Sequence, residues 1–165
     1  MRTNSVSRVQ LLLVMLLLLV LQFYLRPRLW DARVSPDFLL IALMLFAMRT
    51  SPGVAALAGF AVGLIADTLT PARFGAAALA HTVVGYLAAW GRSVFFADNM
   101  LVNAGFVAAG LWLRDLIVLL ASGTDHRQLL TELTWYSPLQ ALTTAGFALV
   151  VLITFKAWFS IRLDA

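Results

Sequence analysis

Between Val9 and Trp158 the chain is a succession of six apolar stretches, over residues 9–25, 36–49, 53–66, 74–90, 101–121 and 138–158, with short polar breaks between them. A helix needs about 20 residues to cross the hydrocarbon core of a bilayer, and several stretches approach that length. Charge content settles the solvent. Only 12% of the 165 residues are charged and the mean hydropathy is +0.91, whereas a soluble domain carries about 25% charged residues. Lipid must therefore surround most of the chain. The pattern predicts an all-α polytopic membrane protein with six transmembrane helices in one integral membrane domain, residues 1–165.

The third and fourth stretches share a second regularity. Ala55, Gly59, Gly63 and Asp67 follow one another at four-residue intervals, and so do Ala77, His81, Gly85 and Ala89. Each set lies on one side of a helix and forms a ridge with almost no bulk. In lipid, where van der Waals packing replaces the hydrophobic drive, such ridges let two backbones approach closely. Gly59, Gly63, Asp67, Gly75, His81 and Gly85 are therefore the expected packing or partner-binding positions of this region.

The first stretch follows Arg2 and Arg8 and runs into Arg26-Pro27-Arg28 with no small-residue cleavage site, so it reads as an uncleaved helix rather than a signal peptide. Trp30 is expected at interface depth. The second stretch holds only 11 consecutive apolar residues, 38–48, and the third is also short. The pair fits two short or tilted spanning helices, which is the preferred reading, or a re-entrant hairpin enclosed by protein. Residues 91–100 and 122–134 read as polar connections, with Pro138 opening the last helix. Six segments put both termini on one side. With the N-terminus inside, Arg2, Arg8, Arg49, Arg92, Lys156 and Arg162 stand against Arg26, Arg28, Arg33, Arg73 and Arg127. The slight excess places both termini in the cytoplasm.

Polar groups at membrane depth are the functional candidates. Arg114 and Asp115 interrupt an apolar helix, where each charge costs about 2.5–3.5 kcal/mol on insertion scales. They point about 100° apart, and no opposite charge sits three or four positions away, so their partners are expected on other helices, in a second subunit or in water. A structural ion pair is the first reading, and a docking or substrate site the second. Asp67 can reach Arg73 and lock the turn between the third and fourth helices. His81 is a packing histidine or a proton shuttle. Asp37, Asn103, Gln140, Thr143 and Thr144 line a cavity or bridge helices.

Catalytic patterns are sparse. Two histidines far apart and no cysteine leave no zinc set, and there is no phosphate-binding glycine loop. No acid cluster suits a metal-dependent lipid phosphotransferase, and no glycine-flanked serine pairs with a histidine. The basic residues are scattered singly, which argues against nucleic acid. No enzyme activity, metal or cofactor is expected.

The run Gly63-Leu64-Ile65-Ala66-Asp67-Thr68-Leu69, with Phe74-Gly75, the small-residue helix through Gly85-Tyr86-Leu87, a leucine-rich first helix and Pro36-Asp37 before the second, resembles the rod shape-determining MreD family. The resemblance implies a non-enzymatic scaffold of the elongation machinery in the bacterial inner membrane. It further implies pairing with MreC and links to MreB, to the glycan polymerase and to the class B penicillin-binding protein that build the lateral wall. The family is also similar in fold to the six-helix substrate-binding S-components of vitamin transporters, which makes such a subunit the alternative reading.

Overall fold

The computed structural model describes residues 3–29, 31–95 and 100–155. Helix α1 spans Thr3–Val20 and continues through a π turn, Leu21–Leu25, and a 3-10 turn, Arg26–Arg28. It is followed by α2 (Phe38–Ala47), α3 (Pro52–Thr68), α4 (Ala76–Phe95), α5 (Met100–Ala121), the short α6 (His126–Thr131) and α7 (Ser137–Thr154). No strand occurs among the described residues. The all-α membrane fold expected from the sequence is the one found. Three stretches, Val9–Arg28, Leu101–Ala121 and His126–Thr154, are long and apolar enough to cross a bilayer.

Three boundaries differ from the sequence reading. The polar leader is already helical from Thr3, and α4 runs on to Phe95, into the stretch read as a loop. The polar connection 122–134 is helical from His126 onward and joins α7 through a π turn, Glu132–Tyr136. Arg2, Trp30, Lys156, Arg162 and the end of the last segment, 156–158, lie outside the described residues. Both π turns end two residues before a proline, Pro27 and Pro138. A proline ring collides with the carbonyl four residues back, and the wider turn relieves that collision without stopping the helix.

Helix α2 is the centre of the bundle. It touches α1, α3, α4, α5 and α7, and of its ten residues only Phe46 escapes burial. An apolar helix without a polar face must be enclosed on all sides, and here protein encloses it. At 1.5 Å per residue it is about 15 Å long, half the roughly 30 Å of a hydrocarbon core. The other helices face outward at least in part. On α1, Val14 and Leu18 pack inward while Leu12, Leu13, Leu16 and Leu17 are exposed.

Helices α3 and α4 run antiparallel with backbones almost in contact. A Cβ added at Gly59 would lie 2.7 Å from the His81 carbonyl carbon, at Gly63 2.6 Å from the Ala78 nitrogen, and at Gly85 2.5 Å from the Ala55 oxygen. No real side chain fits there, so the four-residue glycine register is a steric requirement of this pair.

Candidate functional site

The polar groups converge at the end of the bundle where α1, α3 and α5 finish and α2, α4 and α7 begin. Segment 31–37 is folded back on itself there. The Asp31 carboxylate accepts from the Arg33 amide at 2.9 Å and pairs with its guanidinium at 3.3 Å. Those contacts hold the Asp31 carboxyl below the usual carboxylate range. Helix α7 then fixes the segment: Thr143 Oγ1 donates to the Val34 carbonyl at 2.7 Å and Gln140 Nε2 to the Ser35 carbonyl at 3.0 Å. The Asp37 amide donates to Thr144 Oγ1 at 3.1 Å, and the Phe38 amide to Gln22 Oε1 of the π turn after α1 at 3.0 Å. These bonds satisfy backbone groups at the buried start of α2 that water cannot reach.

Asp37 is the N-cap of α2, accepting from the Leu40 amide at 3.0 Å. Its other oxygen faces Arg114 of α5 at 3.2 Å, while Arg114 Nε lies 3.1 Å from Asp115. Nε and Nη2 meet these carboxylates as charges in contact, without the alignment of hydrogen bonds. The partner that Arg114 required is thus on another helix, and its own neighbour Asp115 also reaches it.

Asp67 takes a different partner from the one expected. Among the described residues no ion pair joins it to Arg73. Its carboxylate accepts instead from the amides of Gly75 at 2.9 Å, Ala77 at 3.0 Å and Ala78 at 3.0 Å. The last residues of α3 thereby cap the first turn of α4, where orphan amides and the helix dipole both favour an anion. Gly75 has a φ of +96°, which brings its amide round to the carboxylate at a backbone angle that other residues rarely adopt.

His81, 1% exposed, sits one turn further along α4. Its Nδ1 lies 2.8 Å from the Ala77 carbonyl, and Nε2 has no partner. A cavity of about 200 Å³ opens between these elements. Its charged and ionisable lining is Arg26, Asp37, Asp67, Arg73, His81 and Arg114, from α1's end, α2, α3, the α3–α4 turn, α4 and α5. Of the candidate residues, Asp67, His81 and Arg114 meet at this cavity. Gly59, Gly63 and Gly85 lie instead along the α3–α4 contact, and Asp115 braces Arg114. Asp37 carries more of the site than its place among the secondary candidates suggested. Its signal was available as a helix N-cap, Pro36-Asp37, directly before an apolar run. Arg26 and Gln22 gave no signal, because the first stretch reads as a plain membrane anchor.

Among the described residues no three His, Asp or Glu side chains gather as metal ligands would. The family model described as rod shape-determining protein MreD matches residues 2–160. No curated protein and no solved structure matches the chain. The match extends over nearly the whole chain, beyond the 36–87 segment that carries the motif resemblance, and the chain belongs to the MreD family of rod shape-determining membrane proteins.

Proposed function

We propose that this member of a shape-determining family is a non-enzymatic inner-membrane scaffold of the elongation machinery, with both termini in the cytoplasm. It pairs with MreC and links MreB to the glycan polymerase and class B penicillin-binding protein of lateral wall synthesis. The family match over residues 2–160 carries this reading. The build of the bundle is consistent with it. Connections at 29–37, 48–51, 69–75 and 122–125 are short, so membrane-embedded surfaces offer most of the contact area. Those surfaces are not the glycine ridges, which α3 and α4 spend on each other, nor the Arg114–Asp115 pair, which Asp37 engages. A partner helix would meet the large outward residues, such as Leu57 and Phe60 of α3 or Leu79 and Trp90 of α4, in competition with lipid. Depletion is expected to round the cells, and the purified protein to carry a single-helix partner. Cells that stay rod-shaped on depletion would count decisively against the scaffold.

One observation favours a second reading, a substrate-binding subunit of the transporter S-component kind: the charged cavity shared by five helices. That reading requires a stoichiometric small molecule in the purified protein and its passage across a vesicle membrane.

A further inference from the structure

The cavity at the end of the bundle has two guanidinium groups, Arg26 and Arg73, that form no contact ion pair with its acids among the described residues, although Arg26 acts on Asp37 through space. Arg114 is engaged by Asp37 and Asp115, at 3.2 and 3.1 Å. Asp67 is engaged by three backbone amides. Counting Asp115 behind the wall, three arginines stand with three carboxylates, so the site is balanced overall while only Arg114 is in contact with carboxylates. On one wall Arg26 makes a single long bond, from Nη2 to the Ala32 carbonyl at 3.4 Å. Arg73, in the α3–α4 turn, makes no side-chain hydrogen bond or ion pair among the described residues. Both face a space of about 200 Å³, well above the roughly 10–15 Å³ that admits one water.

The third group is His81. The Ala77 carbonyl can only accept, so the contact at 2.8 Å assigns the ring hydrogen to Nδ1. That leaves the Nε2 lone pair buried, without a partner, on a side chain lining the cavity. A buried acceptor without a donor costs about 1–3 kcal/mol, and such groups in native structures are matched by water or a ligand. Exposed Leu69 and Thr70 stand with Arg73 at the mouth.

We infer that this cavity binds a phosphate ester bearing a free hydroxyl. The planar guanidinium forks of Arg26 and Arg73 receive the phosphate oxygens, and His81 Nε2 accepts from the hydroxyl. The ester is either the headgroup of a phospholipid entering at the mouth or a soluble molecule of the same chemistry. The inference does not rest on the scaffold reading, and cell shape is not its readout.

The test uses the full chain in phosphatidylcholine nanodiscs, with phosphatidylglycerol as the lipid probe and glycerol 3-phosphate as the soluble one. Native mass spectrometry counts retained phosphatidylglycerol, and calorimetry follows glycerol 3-phosphate. One equivalent of phosphatidylglycerol with no response to glycerol 3-phosphate assigns the lipid source, and saturable glycerol 3-phosphate binding assigns the soluble one. In either case Arg73→Gln and Arg26→Gln are each expected to weaken binding about tenfold. Arg28→Gln, outside the cavity and bonded to the Tyr24 carbonyl, is expected to leave it unchanged. Arg73 is exposed, so its variant keeps the fold, checked by an unchanged elution profile. No saturable binding of either probe, or an equal loss in Arg28→Gln, overturns the inference.

Discussion

Along the α3–α4 contact the nearest atoms are backbone, while around Asp37 they are polar side chains from three other helices. The first region uses small residues to bring two helices so close that dispersion accumulates over their length, with almost no polar chemistry until Asp67. The second keeps its helices further apart and joins them through Gln22, Arg114, Gln140 and Thr144. In water the hydrophobic effect would dominate both regions. In lipid it supplies little between helices, so close packing and internal hydrogen bonds must each carry an interface. The difference is one of tolerance. Close packing fails by volume, and the polar junction fails by charge.

Charge removal is the harshest way to break the comparison. Arg114→Met leaves Asp37 and Asp115 without their cation and is expected to cost about 3–5 kcal/mol, measured by steric-trapping unfolding in bicelles. Adding Asp37→Asn and Asp115→Asn should return part of that loss, and a triple variant no more stable than Arg114→Met would show that charge is not what holds the junction. Volume comes next. Gly63→Ala should cost about 1–3 kcal/mol by driving a methyl into the Ala77–Ala78 backbone, with Gly59→Ala alike, and melting in detergent reads both. Asp67→Asn keeps the size of the α4 cap but removes its charge and exchanges one of its two accepting oxygens for an NH2 that cannot accept from an amide. A loss of about 1 kcal/mol is expected, and hydrogen exchange should rise at Gly75, Ala77 and Ala78 before anywhere else. The smallest effect sharpens the contrast from the other side. Gly146 of α7 faces open space, so Gly146→Ala should leave stability unchanged or raise it by up to about 1 kcal/mol. A large loss there would mean that glycine content itself, and not the α3–α4 geometry, matters.

What the sequence shows of this molecule follows the range of the physics involved. The register Ala55, Gly59, Gly63, Asp67 is legible because a helix repeats locally, and it predicted a close helix pair without naming the partner. The unmet need of Arg114 was also legible, since every position within a turn of it is apolar apart from Asp115. That Asp37 would meet that need was not, because nothing short of the folded bundle brings the start of α2 beside α5. The Asp67–Arg73 pair failed for a definite reason. Three amides held rigidly at a helix start compete better than one flexible, exposed arginine that must give up rotamer freedom and hydration. Stretch 122–134 misled because polarity was read as irregular backbone. A helix end beyond the hydrocarbon tolerates His126, Arg127 and Gln128 as readily as a loop does.

The enclosure of α2 bears on how the molecule is made. A segment about 15 Å long cannot settle across the bilayer by its own hydrophobicity when it leaves the ribosome. Its final seat uses Arg114 and Thr144, which are synthesised long afterwards. The second helix therefore has to wait, shallow or sheltered by the insertion machinery, until the C-terminal half of the chain arrives to close around it. A cysteine placed at Leu40 should accordingly be open to a water-soluble maleimide in nascent chains truncated before α5 and shielded in the finished protein.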